Sequence, residues 1–362
     1  MNRNKKVAIV LGTRPEIIKM SSVIRELQKR KLAFFILHTN QHYSKELDSI
    51  FFRQLELPCP KYNLNIGSDS NVRQTAKMMM GIEEILVKEL PDVVLVQGDT
   101  NSVLAGALAA AKLNILIGHL EAGLRSYFDL MPEEKNRILT DHCSGLLFAP
   151  TRQAVGVLVK EGISKAKIFL TGNTIVDAVF QNCKLAESKS NILKRLHLNR
   201  KGYFLVTVHR QENVDIPERL KGVLDGLGMT FADFKYPIIY PIHPRTIKMI
   251  KKFKLKIPRG IKLINPLGYF DFLQLEKNAG LILTDSGGVQ EEACILKIPC
   301  VTLRDNTERL ETLIIKSNIL AGVKPKDILC SVKKMLNKKS GWVNPYGDGR
   351  AAQRIIDILE KI

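Results

Sequence analysis

The sequence predicts an α/β protein in which parallel sheets are covered by helices on both faces. Short runs of Val, Ile and Leu alternate with longer segments of helical spacing, and the runs are apolar throughout, without polar alternation. A strand that is apolar on both faces is typical of a parallel sheet buried on both sides. The length of 362 residues is a third indication, because it fits about two domains of ~100–200 residues each.

The first half of the chain contains the clearest elements. Val7–Leu11 is a continuous apolar run that Gly12 ends, and it predicts a buried strand. Apolar residues at helical spacing then predict a helix from Pro15 to Gln28. The same reasoning predicts strands at 34–37, 92–97 and 115–117, and helices at 72–90 and 102–112.

The second half repeats this scheme and predicts a second, similar domain. At 96–101 and again at 283–288, a strand is followed by an Asp, a hydroxyl residue and the start of a helix. The Lys-rich stretch 181–201 is a candidate linker, and we place the domains at 1–172 and 173–349. The strands predicted in the second half are 203–208, 237–242, 262–264, 281–284 and 300–303.

The composition is that of a globular protein without membrane spans. Hydrophobic residues make up 45% of the chain, which is too many for a disordered protein. The most apolar long window, 104–118, is interrupted by Lys112 and Asn114 and is shorter than the ~18 apolar residues that a span needs. The apolar run near the N-terminus lacks a cleavage site and does not fit a signal peptide. We therefore expect no membrane partner.

The cysteine spacing and the net charge further limit the classes of partner that we expect. Six cysteines without CxxC spacing argue against a disulfide framework or zinc site and favour the cytoplasm. No HxH or HExxH motif occurs, so we expect no metal. The net charge of +19, from 55 Lys and Arg against 36 Asp and Glu, fits a nucleic acid, an anionic substrate or a lysine-rich proteome. With aromatic residues at only 6% and no basic stripe interleaved with them, we do not expect nucleic acid as the partner.

Two strand-to-helix turns have the features of anion sites. In the first, Leu11-Gly-Thr-Arg-Pro-Glu16, Arg14 lies at the start of the helix with Lys19 one turn on, which suits a diphosphate. The alternative is a surface Arg and Lys without a ligand. In the second, Ser286 is a candidate cap, and Gly287 and Gly288 let a phosphate approach the backbone closely.

Carboxylates near these turns indicate other chemistry. Glu291 and Glu292 lie one turn into the second helix, where a carboxylate suits a ribose diol; the alternative is a capping box. In the first half, Asp99 and Glu121 follow successive strands, whose carboxyl ends share one edge of a sheet. Clustered carboxylates suit proton transfer. Further candidates are Glu133 and Glu134, whose alternative is a helix N-terminal charge, and His209 and His243, each just past a strand.

Together these motifs resemble those of the non-hydrolysing UDP-N-acetylglucosamine 2-epimerases. Each motif is weak alone, but nine in the family's order over nearly the whole chain are specific. The matching segments are Gly12-Thr-Arg-Pro-Glu-Ile-Ile-Lys19, Gln97-Gly-Asp-Thr100, Gly118-His-Leu-Glu-Ala-Gly-Leu-Arg125, Pro132-Glu-Glu-Lys-Asn-Arg137, Thr171-Gly-Asn-Thr174, His209-Arg-Gln-Glu-Asn213, Asp285-Ser-Gly-Gly-Val-Gln-Glu-Glu292, Arg304-Asp-Asn-Thr-Glu-Arg309 and Asn344-Pro-Tyr-Gly-Asp348.

The resemblance implies two Rossmann-like domains facing a cleft, as in B-type glycosyltransferases, with helix 350–362 returning to the first domain. It also implies interconversion of UDP-N-acetylglucosamine and UDP-N-acetylmannosamine, by elimination of UDP to 2-acetamidoglucal and re-addition, without a cofactor. The catalytic candidates by motif match are Asp99, Glu121, Glu133 and His209. Those expected to bind UDP are Arg14, Lys19, Ser286, Gly287, Gly288, Glu292 and Arg309, with Leu267 and Phe272 near the base.

The chain departs from the family pattern at two positions. Leu310 follows Arg309 where the family usually has Pro, and Val208 precedes His209 where many bacterial members have Gly. A sister group that acts on UDP-2,3-diacetamido-2,3-dideoxyglucuronate typically replaces the Arg, so Arg309 favours the N-acetylglucosamine enzyme. The sister substrate, the hydrolysing branch that releases free N-acetylmannosamine, and a glycosyltransferase of the same fold stay open as alternatives.

Regulation and assembly are expectations from the resemblance alone. Some bacterial members bind a second UDP-N-acetylglucosamine as an activator, for which the matching positions are Gln41, His42, Gln74 and Arg210. The family also implies a homodimer and a role in supplying precursors of surface polysaccharides.

Overall fold

The computed structural model describes residues 5–41, 51–128, 130–338 and 341–362. The chain divides into two compact units, Met1–Gln181 with Tyr346–Ile362, and Asn182–Pro345. The first unit is thus made of two separate segments of the chain. The division lies within the helix Thr174–Lys189, beyond the boundary at residue 172 that we placed from the sequence.

Seven strands form the sheet of the first unit within its described residues, in the order β3-β2-β1-β4-β5-β6-β7. Every neighbouring pair is parallel, which confirms the predicted α/β class. The order reverses between β1 and β4, and ligands of open α/β sheets bind at such a reversal. The strands are β1 Lys6–Leu11, β2 Ala33–His38, β3 Tyr62–Asn63, β4 Val93–Gln97, β5 Leu116–Leu120, β6 Leu146–Ala149 and β7 Ile168–Leu170.

Helices cover this sheet, and one of them packs unusually close to it. A Cβ added at Gly106 would lie 3.1 Å from methyl carbons of both Val10 and Val96, so the helix Asn101–Lys112 needs glycine there to pack on β1 and β4. The α-helices of the unit whose bounds are described are Arg14–Lys29, Asn71–Glu89, Asn101–Lys112, Pro132–Cys143, Arg152–Lys160, Thr174–Lys189 and Ala351–Lys361, and Lys165–Lys167 is a 3-10 helix.

The sheet of the second unit contains six strands in the described residues, again parallel, in the order β10-β9-β8-β11-β12-β13. Its order reverses between β8 and β11. The carboxyl ends of these strands lead to His209 and to Asp285-Ser286. The strands are β8 Phe204–Thr207, β9 Ile238–Pro241, β10 Ile261–Ile264, β11 Leu281–Thr284, β12 Cys300–Thr302 and β13 Asn318–Leu320.

Helices cover the second sheet as well, and its main core is built from Val, Leu and Ile of β8, β9 and β11 packed against the helices Pro217–Phe234 and Pro325–Leu336. Among all described helices, none is long and apolar enough to cross a membrane. The α-helices of the unit are Ile192–Leu196, Gln211–Val214, Pro217–Phe234, Pro244–Lys252, Tyr269–Asn278, Gly287–Ile295, Leu310–Ile314 and Pro325–Leu336.

Candidate functional site

The turn after β1 is held by a buried glutamate. Glu16 accepts the backbone N–H groups of Gly12 at 2.5 Å and Thr13 at 3.0 Å, and the Thr100 hydroxyl at 2.5 Å. Burial raises the pKa of Glu16 to about 7 despite these donors. A Cβ at Gly12 would lie 2.1 Å from the hydroxyls of Ser102 and Thr39, so only glycine fits this turn. The fixed turn places Arg14 at the exposed start of the helix, as predicted.

Glu121 lies just past β5 and is held by several donors. Its Oε1 lies 2.6 Å from Lys19 Nζ and 2.8 Å from Asn173 Nδ2, and its Oε2 accepts from Gln97 Nε2 at 2.6 Å. Ammonium and amide donors stabilise the ionised carboxylate. The backbone of Glu121 is left-handed, with φ of +68°, which is strained for a glutamate. Lys19, predicted to bind phosphate, thus has a carboxylate partner in this structure.

Asp99, at the end of β4, forms an ion pair on the same side of the sheet. Arg137 Nε and Nη2 lie 3.0 and 2.6 Å from Asp99 Oδ2, and Asn136 donates to the Asp99 carbonyl at 2.9 Å. The next carboxylate is Glu134, which is buried and accepts from Arg137 at 2.7 Å and from the N–H groups of residues 126 and 127. Glu133 is partly exposed beside it. Of the two glutamates at this helix N-terminus, Glu134 therefore has a structural role, and Glu133 is accessible.

A buried network joins the ends of β4 and β5. His119 Nδ1 lies 2.7 Å from Asp141 Oδ1, and Nε2 lies 2.9 Å from the Gly98 carbonyl. Asp141 also pairs with Arg125 at 2.7 Å. Burial would raise the pKa of Asp141, but its contacts with His119 and Arg125 hold it below its ordinary value.

Two of the four positions expected to bind an activator, Gln41 and Gln74, lie inside a polar network of the first unit, whereas Arg210 lies in the second unit beside Asp285 and Glu308. Gln74 donates to the carbonyls of Gln41 and Gly67 at 3.0 and 2.7 Å, and Ser102 donates to Gln41 Oε1 at 2.9 Å. Gln41 and Gln74 are only 6% and 3% exposed. His42 lies outside the described residues.

In the second unit, Asp285 organises the end of β11. The carboxylate is fully buried and accepts the N–H groups of His209 at 3.0 Å and Arg210 at 2.9 Å. His209 Nδ1 lies 3.2 Å from Asp285 Oδ1, and the imidazole is half exposed. Burial would raise the pKa of Asp285, but these donors lower it below the ordinary value. Asp285 therefore orients His209, a role that the sequence motif alone did not assign.

The Ser286–Gly288 turn starts the helix Gly287–Ile295, as predicted, but Ser286 does not cap it. The Ser286 backbone is at the N-cap position, while its hydroxyl makes no capping hydrogen bond within the described helix. A Cβ on Gly287 would lie 2.5 Å from Glu308 Oε1. Glu308 contacts Arg304 at 2.9 Å and Arg210 at 3.1 Å; burial raises its pKa, but Arg309 and Arg304 lower it to about 2. The predicted phosphate turn is thus lined by arginines and one carboxylate.

Glu292 is part of a buried pair of acids. Glu276, on the neighbouring helix Tyr269–Asn278, is fully buried close to Glu292. Burial, together with the charge of Glu292, raises the pKa of Glu276 well above its ordinary value. The surroundings therefore favour the neutral form of Glu276. Glu291, one residue earlier, pairs instead with Arg309 Nε at 2.9 Å.

The remaining predicted contacts are apolar. Leu267 and Phe272 are partly buried and pack on the core cluster that contains Tyr203 and Ile282. Among the described residues, no group of three or more His, Cys, Asp or Glu side chains is arranged to hold a metal.

Comparison with known proteins identifies the family. The profile of a family described as UDP-N-acetylglucosamine 2-epimerase matches residues 25–360. The UDP-N-acetylglucosamine 2-epimerase of Methanocaldococcus jannaschii is 56% identical, over 98% of each chain. Its crystal structure in complex with UDP-GlcNAc and UDP has a TM-score of 0.87 and covers 99% of this chain and 100% of its own.

Two less similar proteins bear on the alternatives. The UDP-2,3-diacetamido-2,3-dideoxy-D-glucuronate 2-epimerase of Pseudomonas aeruginosa is 40% identical, over 99% of this chain and 100% of its own. A glycosyltransferase of Rickettsia africae is 13% identical with a TM-score of 0.59, and covers 100% of this chain and 99% of its own, which shows a shared fold alone. The family match over most of the chain confirms the resemblance seen in the motifs. The chain belongs to the UDP-N-acetylglucosamine 2-epimerase family.

Proposed function

We propose that this chain interconverts UDP-N-acetylglucosamine and UDP-N-acetylmannosamine by inverting C2 of the sugar. The observation that carries the proposal is Glu121, a carboxylate that contacts Lys19, Gln97 and Asn173 at the strand end where open α/β sheets bind ligands. The relative at 56% identity supports the choice of substrate. Retention of Arg309 favours N-acetylglucosamine over the diacetamido uronate.

The chemistry explains why carboxylates are needed. The C2 proton is not next to a carbonyl, so its direct removal is very slow. When the C1–O bond breaks and UDP leaves with the electron pair, C1 becomes cationic and acidifies C2–H. A base then removes this proton, giving 2-acetamidoglucal. Reprotonation of C2 from the opposite face and return of the UDP oxygen to C1 complete the inversion.

Within this scheme the first unit supplies acid, base and electrostatic groups. We assign Asp99, Glu121 and Glu133 to the reacting sugar, and His209 of the second unit as a further proton carrier oriented by Asp285. Carboxylates close to a cationic C1 stabilise it electrostatically as well as by proton transfer. The exposure of Glu133 supports this assignment over its buried neighbour Glu134.

UDP recognition falls to the two strand-to-helix turns. Cations and free backbone N–H groups suit the diphosphate, and a carboxylate suits the ribose diol. Leu267 and Phe272 are partly buried and pack on a core cluster of the second unit, and their apolar side chains suit the face of the uracil ring. We assign the diphosphate to Arg14, Lys19, Ser286, Gly287, Gly288 and Arg309, and the ribose to Glu292.

We further propose that the chain forms a homodimer and works in the cytoplasm on precursors of surface polysaccharides. The dimer is supported by exposed apolar side chains on helices of the first unit, because such side chains favour association. Sedimentation with Met80→Glu as the dissociating variant tests this part. The exposed side chains are Val72, Met80, Val87, Ile138 and Leu139.

Proton NMR of the reaction in heavy water tests the activity. UDP-N-acetylglucosamine should give a minority of the manno isomer with deuterium at C2. If only the diacetamido uronate gives an isomer with deuterium at C2, that sugar is the substrate instead. Free N-acetylmannosamine with UDP would indicate the hydrolysing reaction, and sugar transfer to an acceptor a glycosyltransferase.

A further inference from the structure

The first unit brings together two motifs, Thr171-Gly-Asn-Thr174 and the segment around Tyr346-Gly347, of which only Asn173 has been described so far. Asn173 N–H donates to the Tyr346 carbonyl at 2.8 Å. Gly172 and Gly347 both have positive φ, of +86° and +119°. A Cβ on Gly347 would lie 3.3 Å from Gly172 Cα, and one on Gly172 would lie 3.3 Å from the Tyr346 carbonyl. The close contact of these backbones therefore favours glycine on both sides.

The Asn173 side chain has a single orientation in this contact. It is buried, and its Oδ1 accepts the N–H of Ile175 at 3.0 Å, which caps the helix Thr174–Lys189. Its Nδ2 must then point the other way, toward Glu121 Oε1 at 2.8 Å. A flipped amide would place two oxygens against each other and leave Ile175 N–H facing a donor.

The segment that holds Asn173 is itself anchored. The buried Asp177 carboxylate accepts the N–H groups of Ala351 and Ala352 at 3.1 and 3.0 Å, at the start of the last helix. Arg354 donates to the Thr171 carbonyl at 3.0 Å and pairs with Asp348 at 2.8 Å. A carboxylate near a helix N-terminus is stabilised by the helix dipole, so Asp177 fixes the position of the returning segment.

We infer that Asn173 is a positioning residue that orients the Glu121 carboxylate for C2 proton exchange, and that the Tyr346–Gly347 backbone holds it in place. The inference rests on the proposed function. Lys19 pairs with Glu121 Oε1 at 2.6 Å, and Gln97 donates to Glu121 Oε2 at 2.6 Å. Asn173 donates to the same Oε1 as Lys19, from a segment whose own position is fixed by the Tyr346 carbonyl.

Asn173→Ser and Asn173→Asp separate capping from positioning. Ser and Asp both cap helices, so both variants should fold. Ser is too short to reach Glu121, and Asp turns the donor into a second carboxylate. We expect C2 deuterium exchange to fall about 10- to 100-fold in Asn173→Ser and further in Asn173→Asp, with KM changed less than about threefold. Asn114→Asp, an exposed position in the same unit, adds the same charge and should match the parent.

A second measurement does not depend on activity. In protein labelled with ¹³C at glutamate carboxyls, the Glu121 resonance is identified by its loss in Glu121→Gln. We expect it to titrate at higher pH in Asn173→Ser, because a donor to the charged form has been removed. Parent-like exchange and an unchanged titration in Asn173→Ser would overturn the inference. An inert parent with both sugars would instead overturn the proposed function, and the titration would still decide the role of Asn173.

Discussion

Glu121 in the first unit and Glu276 in the second are both glutamates at the edge of a predicted site, yet their surroundings are opposite. Glu121 faces an ammonium and two amides. Glu276 is fully buried and faces another glutamate, Glu292. Donors stabilise the charged form of a carboxyl, whereas burial beside a like charge stabilises the neutral form. The surroundings of Glu121 therefore favour the charged carboxylate, and those of Glu276 favour the neutral carboxyl group.

Neighbours, and not residue type, thus assign roles to these acids. A charged carboxylate suits a cationic sugar. A neutral carboxyl group suits a buried support beside a binding carboxylate, here Glu292.

The largest effect is expected from Glu121→Gln. The variant keeps the shape but removes the charge, so exchange of deuterium into C2 should fall about 10³-fold or more. UDP affinity, measured by calorimetry, should stay within about threefold. Glu84→Gln, at an exposed position of the same unit, is the matched control and should exchange at the parent rate. Retained exchange in Glu121→Gln would remove Glu121 from the reaction.

Glu292→Gln tests the binding member of the acid pair. Loss of a charged acceptor for the ribose hydroxyls should weaken UDP binding about 10- to 100-fold. The parent should also discriminate against 2′-deoxy-UDP, and the variant should lose most of that discrimination. Equal discrimination in both proteins would place the ribose elsewhere.

The stability of the variant Glu276→Gln tests whether Glu276 is neutral in the folded protein. The pKa of Glu276 is raised above its ordinary 4.5, so above that pH the folded state holds a proton that the unfolded chain has released. The free energy of unfolding then falls as pH rises, by up to about 1.4 kcal/mol per pH unit. Glutamine keeps a hydrogen-bond donor but does not titrate, so the melting temperature of the variant should decline less than that of the parent between pH 5 and 8. Parallel declines would mean that Glu276 is ionised.

The smallest effect is expected from Leu310→Pro, which restores the usual residue of the family. Leu310 is the first residue of the helix Leu310–Ile314 and is half exposed. Proline suits this position, where the N–H has no helical acceptor. We expect a change in unfolding free energy of less than about 1 kcal/mol and an unchanged kcat. A large loss of activity would show that the Leu310 side chain shapes the second unit's site.

The sequence predicted the two sheets well because their central strands are continuous apolar runs. It missed β3, β6, β7 and β13, which are strands of only two to four residues. The turns with Arg14 and Ser286 were visible from glycine and proline chemistry. The structural role of Glu134 beside Glu133 was not, because both occupy the first turn and only tertiary contacts separate them.

Residues that support the site were the hardest to predict. Their function depends on the direction in which a side chain points toward another segment of the chain. These residues are Gln97, Asn173, Asp141 and Asp285. Local patterns do not encode such directions. Three of the four nevertheless lie inside the motifs that revealed the family, which is the signal that could have found them.

The first unit's two-segment construction has a consequence for synthesis on the ribosome. Residues 346–362 complete that unit, and they are translated after the whole of the second unit. Until they emerge, Asp177 has no helix N-terminus to bind, and Asn173 lacks the Tyr346 carbonyl. The nascent chain can therefore form its first sheet early, while the contacts that position Glu121 are completed only after the second unit has been translated.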